Sequence, residues 1–289
     1  MNIWWIRRDA RLHDNPALSA ALADGSGVVP VFVMDDHLLE KPAPKRQAFL
    51  FAALKSLDEE LKKLGSGLVV RRGNPVFEIP KLVTECAASA VFAEEDLSPY
   101  AVKRDAALGR SVNLQLVHGL GVHPPAAVAR ADGRPYTVFT PFSRAWKALP
   151  FNGQTLPAPT SLPTLPALNT LAIPPSQPPD EFPATEREAC RRLDVFLSGP
   201  IRDYPDDRNR MDLEGTSALS PYLRFGVVSA RSAASAALRV INEGDAYFRR
   251  GGEVWLNELI WREFYQSILY YFPHVLNTSF NQEMRDVRW

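Results

Sequence analysis

Short runs of β-branched and other apolar residues punctuate the first half of the chain, at Asn2–Ile6, Val28–Met34, Leu68–Val70, Ala90–Phe92 and Val112–Val117. Runs this short, bounded by turn-forming residues, predict buried strands. Between them the apolar spacing changes to a helical period. The clearest stretch is Pro44–Leu64, where Leu50, Leu54, Leu57, Leu61 and Leu64 share one stripe and Gly65 supplies a C-terminal cap. After the first strand, Asn15 is placed to cap a helix with Pro16 at its first position. Strands alternating with such helices predict an α/β unit, a doubly wound parallel sheet covered on both faces. A sheet of that kind takes ligands beyond the carboxyl ends of its strands.

The pattern breaks at Pro150–Pro183. Ten of the chain's 25 prolines lie there among few charges, which predicts an extended linker over the surface. Beyond it strand-like runs vanish, and helical periodicity covers Ala184–Leu197, Pro221–Phe225, Ala230–Ile241 and Glu253–Phe272. At 289 residues the chain exceeds one ordinary core. It divides into residues 1–149 as the α/β domain, 150–183 as the linker and 184–289 as the beginning of an all-helical domain.

Composition adds little to that picture. Thirty-three basic and thirty-three acidic residues cancel, so no partner follows from net charge. Every lysine lies at or before Lys147, and the helical half carries its positive charge as arginine, the side chain suited to bidentate phosphate contacts. Cys86 and Cys190 are far apart with no metal-ligand spacing, so neither a disulfide framework nor a metal site is expected. Arg7-Arg8 is followed by charged residues rather than an apolar run, and no stretch approaches transmembrane length. A reduced, cytoplasmic setting without a membrane, and a monomer, are the expectation.

The chemistry concentrates in two motifs. In Trp255-Leu-Asn-Glu-Leu-Ile-Trp-Arg-Glu-Phe-Tyr265, helical geometry places Trp255, Glu258, Arg262 and Tyr265 on one stripe with Trp261 beside Glu258. That stripe offers flat apolar surfaces, an acceptor and a cation. Its plainer reading is core packing plus a Glu258–Arg262 i, i+4 ion pair. In Thr216-Ser-Ala-Leu-Ser220-Pro, three hydroxyls precede a helix start with Ser220 as the expected N-cap, an arrangement that serves either capping or phosphate binding.

Taken in order with Trp5-Ile-Arg-Arg-Asp-Ala-Arg-Leu-His-Asp-Asn15, Tyr136-Thr-Val-Phe-Thr-Pro-Phe-Ser-Arg-Ala-Trp146 and Tyr204-Pro-Asp-Asp-Arg-Asn209, the chain resembles the DNA photolyase and cryptochrome family along its whole length. It looks most like bacterial photolyases for cyclobutane pyrimidine dimers. The resemblance implies an antenna domain followed by a helical domain for flavin adenine dinucleotide (FAD). It implies light-dependent repair of DNA containing pyrimidine dimers, by electron transfer from reduced FAD. Tyr204, Thr216, Ser217, Ala218, Leu219 and Ser220 would hold the FAD, with Trp255 and Arg262 lining its cavity. Glu258 and Trp261 would be catalytic, the first hydrogen-bonding the damaged bases and the second stacking on them, with Arg262 and Tyr265 also at the DNA side. No metal is implied. The alternative is a cryptochrome-like blue-light receptor without repair.

Within the first domain, Arg46 and Asp96 sit at positions that match the deazaflavin-binding branch, with folate or flavin mononucleotide as alternatives for the antenna chromophore. The family continues beyond Trp289, so the chain is expected to be an incomplete FAD-binding domain and inactive alone. On that expectation residues 1 to about 149 fold independently, while the seven aromatics of Glu253–Phe272 are left poorly covered.

Overall fold

The structure, a computed structural model, describes residues 1–40, 43–151 and 153–287. Strands β1 (Asn2–Ile6), β2 (Val28–Met34), β3 (Val69–Arg72), β4 (Val91–Glu94) and β5 (Leu114–Val117) form one parallel sheet in the order β3-β2-β1-β4-β5. The chain winds outward from β1 to β3, then crosses back to β4 and β5. The switch point therefore lies between the carboxyl ends of β1 and β4, where such sheets open toward ligands. Helices α1 (Pro16–Leu22), α2 (Asp36–Leu39), α3 (Pro44–Lys63), α4 (Pro75–Glu85) and α5 (Pro99–Leu108) fill the connections. The expected start of α1 forms, with the Asn15 side chain accepting from the Leu18 amide at 2.9 Å.

Both faces of the sheet are dry at β1 and β2, which explains why these strands read as unbroken apolar runs. Ile3, Trp5, Val29, Val31 and Val33 pack on Ile79, Leu82 and Leu108 of α4 and α5. Trp4, Ile6, Phe32 and Met34, pointing the other way, join a cluster with Phe49, Leu54, Leu57 and Leu61 of α3.

Residues 153–183 contain no helix or strand, as the prolines dictate. The rest is helical: α6 (Phe139–Ala148) before this strap, then α7 (Glu186–Ser198), α8 (Tyr204–Asp207), α9 (Ser220–Phe225), α10 (Ala230–Glu243) and α11 (Ala246–Tyr271). The small residues Ala233, Ala234 and Ala237 of α10 are buried and let α11 approach closely.

The helices do not form a loosely attached second body. Tyr222, Val227, Trp255 and Phe264 belong to the same buried cluster as Trp4 and Phe49. Phe49 meets Tyr222 edge-on at 5.2 Å and stacks on Phe225 at 5.5 Å. Contact is so close at Gly226 (φ +67°) that a Cβ there would lie 1.7 Å from the Arg8 carbonyl oxygen. The expectation of bare aromatics on the last long helix is corrected accordingly. Trp255 and Phe264 are buried, and among the seven only Tyr265 and Tyr270 are exposed, because α6 and α10 supply the missing partners.

Candidate functional site

α8, α9 and α11 converge. α8 carries Tyr204, buried against Phe196 (ring centroids 5.4 Å), and Phe196 in turn packs on Trp255 of α11 at 5.2 Å. Tyr204 and Trp255 are thus brought together with one phenylalanine between them. Arg208, just past α8, pairs with Glu258 of α11, their side chains 35% and 40% exposed. The Glu258–Arg262 pair does not form. Arg262 instead donates to the carbonyl oxygens of Leu120 (2.7 Å) and Leu223 (3.4 Å), and burial pulls its guanidinium below the usual arginine value.

Next to α8 lies the Thr216–Ser220 segment. Gly215 sits so close to Asp207 of α8 that a Cβ would come within 2.6 Å of it. Ala218 is held in the left-handed region at φ +50°. Ser220 is the first residue of α9 rather than its N-cap, a role that falls to Leu219 without any side-chain capping bond. Among the described residues, neither the amides of residues 216–220 nor the hydroxyls of Thr216, Ser217 and Ser220 donate to any protein acceptor. Thr216 and Ser220 are exposed, Ser217 and Ala218 half-buried and Leu219 buried. A run of unsatisfied donors at one surface is the donor set that a pyrophosphate takes. These residues fit a dinucleotide flavin.

Further along α11, the Trp261 indole stacks on Phe139 of α6 (3.7 Å, 5°) and on Tyr265 (5.5 Å, 24°). Tyr265 is 63% exposed and forms the outer end of this three-ring pile. The residues assigned to DNA contact therefore separate into an outward pair, Glu258 and Tyr265, a half-buried Trp261 held between Phe139 and Tyr265, and an inward Arg262.

Sequence reasoning missed the charges beneath. Arg11 pairs with Glu94, donates to Gly226 O at 3.1 Å and to Asp14 O at 2.8 Å, and so ties β4 to the turn after α9. Desolvation outweighs the guanidinium and pushes Glu94 up to about 7. Asp14 accepts from Ser229 and Arg231. Arg8, lowered to about 10 by burial and then by Arg224, completes a seam crowded with cations. Glu263 accepts from the Val122 amide and the Trp146 indole, both at 2.7 Å. The charged run Arg7–Asp14 after β1 was the available signal for part of this; nothing flagged Glu94 or Glu263.

At the carboxyl end of the sheet, Arg46 and Asp96 are not joined. Asp96 lies 3.9 Å from Arg8 and accepts from Ser98 N at 2.9 Å, while Arg46 is exposed. Nearby in the sequence and on the same sheet, the chain's own side chains form a ladder. Arg7 and Arg104 lie over the Trp5 ring at 4.9 and 4.6 Å, and Arg104 also lies over Tyr100 at 5.6 Å. Tyr100 stacks on His37 at 4.5 Å. Its hydroxyl donates to Asp35, and burial followed by that carboxylate drives it to about 12. Among the described residues, Arg46 and Asp96 share no hydrogen bond or ion pair.

Among the described residues there is no helix long and apolar enough to cross a membrane and no cluster able to hold a metal ion. A family model described as DNA photolyase matches residues 2–163. A deoxyribodipyrimidine photo-lyase of a Synechococcus species is 32% identical over 99% of this chain and 64% of its own length. An uncharacterised 31.6 kDa protein from another Synechococcus strain is 36% identical over 91% of this chain and 99% of its own. The crystal structure of a class III photolyase from Agrobacterium tumefaciens superposes on all of this chain with a TM-score of 0.88 at 26% identity, this chain covering 62% of it. The chain thus spans a little under two thirds of the photolyases it matches. Sheet, strap, converging helices and matched sequence agree on one conclusion: this chain belongs to the DNA photolyase family.

Proposed function

We propose that this chain serves a light-dependent lyase that splits cyclobutane pyrimidine dimers in DNA, using FAD. The observation that carries this reading is the convergence of α8, α9 and α11. The unpaired donors of residues 216–220 follow Gly215, which packs on α8, and Arg208 at the end of α8 pairs with Glu258 of α11, with Trp261 one turn further along.

In this reading the amides and hydroxyls of 216–220 hold the pyrophosphate, and Tyr204 and Trp255 form an apolar wall behind it. When bound, light-excited reduced flavin supplies one electron to the dimer and recovers it after the ring opens. The chain's own residues orient and select. A dimer stacks and pairs poorly, so turning it out of the duplex costs less than extruding an intact base. The aromatic pile, whose outer ring Tyr265 is exposed and whose Trp261 lies half-buried beneath it, returns stacking energy of roughly 1–3 kcal/mol per base once it opens to one. Glu258, drawn off Arg208, can hydrogen-bond the pyrimidine edge.

The chain should bind FAD through residues 216–220. Equilibrium dialysis against FAD tests this. Binding that weakens in a Thr216→Val, Ser220→Ala double variant supports the reading, and binding that is absent or indifferent to those changes removes it. A longer, flavin-loaded form that leaves dimers intact under blue light would favour the receptor reading instead.

A further inference from the structure

We propose that Glu263 is a positioning residue that sets where Trp261 stands, and that it does so by clamping α11 to the 118–123 loop and to α6. The inference rests on the reading of α11 as the helix that faces damaged DNA, and it concerns a residue outside every motif role assigned above. Glu263 is 5% exposed, a burial that a carboxylate tolerates only with good partners. Its Oε1 accepts from Val122 N at 2.7 Å, and its Oε2 accepts from Trp146 Nε1 at 2.7 Å and His123 N at 3.3 Å. Burial raises its pKa, and the three donors with neighbouring Arg262 oppose that rise.

The loop is shaped to receive it. A Cβ on Gly121 would lie 2.9 Å from the Glu263 carboxyl carbon, so only glycine lets the backbone close over the side chain. The preceding residue reaches the same loop from another angle, Arg262 donating to Leu120 O at 2.7 Å. Two consecutive helical side chains point about 100° apart. Bonds from both into one loop therefore fix the rotation of α11 about its axis as well as its height.

Trp146 and Phe139 lie on opposite ends of α6. Glu263 holds the Trp146 end, and Trp261 stacks on the Phe139 end at 3.7 Å with the rings 5° from parallel. The clamp thus sets the spacing on which that stack depends. Glu263 touches no flavin or DNA in this arrangement; it acts through Trp261. Sites of this kind lose activity on the order of a hundredfold for a displacement of about 1 Å.

The test uses residues 1–289 carrying 5-fluorotryptophan, whose six indoles (Trp4, Trp5, Trp146, Trp255, Trp261 and Trp289) give separate fluorine NMR signals assignable by single Trp→Phe changes. In Glu263→Gln, and in Trp146→Phe, which removes the indole donor together with its pyrrole ring, the Trp261 signal should move or broaden while Trp4 and Trp5 stay in place. An unmoved Trp261 signal in Trp146→Phe overturns the proposal, even if Glu263→Gln has unfolded. In parallel, preference for an oligonucleotide with one cyclobutane dimer over its undamaged twin should fall about tenfold or more in both variants. A wild-type chain with no such preference, but with the Trp261 shift intact, sinks the functional reading and leaves the clamp standing. An intact preference together with a shifted Trp261 shows that the ring's position does not matter for recognition, and overturns the functional half of the proposal.

Discussion

At the seam between sheet and helices, Arg11 and Glu94 pair with side chains 2% and 3% exposed; on the outer face of α11, Arg208 and Glu258 pair with 35% and 40% exposed. The residue types are the same and the consequences opposite. Arg11 is satisfied by Glu94 and by two carbonyls, and cannot leave without stranding a buried carboxylate. Arg208 gives up a screened contact and has solvent to replace it. One pair builds the molecule and the other is free to be exchanged for a ligand. The aromatic rings repeat the division, with Trp255 3% exposed and Tyr265 on the same helix 63% exposed.

The largest effect expected on the seam side is from Arg11→Ala, about 3–5 kcal/mol in urea unfolding at pH 8. At pH 5 the cost should be smaller, because Glu94, already at about 7, then takes a proton and no bare charge remains. An equal loss at both pH values would mean that Glu94 is not the group left stranded. Gly226→Ala should follow at roughly 2–4 kcal/mol, combining a left-handed backbone with the Arg8 carbonyl that a Cβ would strike.

Glu94 also fixes a pH dependence. Its folded value is raised above 4.5, so the stability it contributes is complete below about 4.5 and is lost as the pH rises through about 7. The wild-type chain should therefore unfold more easily at pH 8 than at pH 5, by on the order of 3 kcal/mol from this group. Glu94→Gln should flatten most of that slope, leaving a remainder of the same sign from Glu263, whose value is raised too. Thermal melts across pH 5 to 8 read the difference. A slope unchanged in Glu94→Gln would locate the dependence elsewhere.

These seam groups are the part that was not legible in the sequence. The strands were, because a sheet buried on both faces writes itself as continuous runs such as Val28–Met34. So was α3, whose leucines share one stripe, and so was the strap, whose prolines lack donors. α11 starts at Ala246, seven residues before the expected Glu253, and carries Gly251 and Gly252 inside it. In the structure they let the Ile201 carbonyl and the Ile241 side chain come close to the helix. Local spacing gave Glu258 the partner four residues away, whereas its actual partner is fifty positions back, just past α8. Arg11–Glu94 spans 83 positions and Glu263–Val122 spans 141, separations at which no periodic pattern carries information. The candidate flavin segment was visible because its donors are adjacent in the chain and need no distant partner.

On the outer face the effects should be smaller for stability and confined to ligands. Trp261→Ala should lower affinity for dimer-containing DNA by roughly 1–3 kcal/mol and leave undamaged DNA nearly unchanged, because of all its contacts only the stack on a base turned out of the duplex distinguishes the two DNAs. Fluorescence anisotropy with matched oligonucleotides measures both. Equal losses on the two DNAs would mean that the Phe139–Trp261–Tyr265 pile holds α6 to α11 and does no reading.

The smallest expected change is also the sharpest test of the contrast. Glu258→Gln removes an ion pair that water already screens, so the urea midpoint should shift by no more than about 0.5–1 kcal/mol, several-fold less than Arg11→Ala at the seam. The same substitution keeps a hydrogen-bonding group of nearly the same shape on α11, so if Glu258 meets the ligand as an acceptor, dimer binding should persist while Glu258→Ala loses it. Should Glu258→Gln instead destabilise the chain as much as Arg11→Ala does, the outer pair is structural after all. Glu258 would then be held too firmly by Arg208 to turn toward a base, and the division of labour between seam and outer face would collapse.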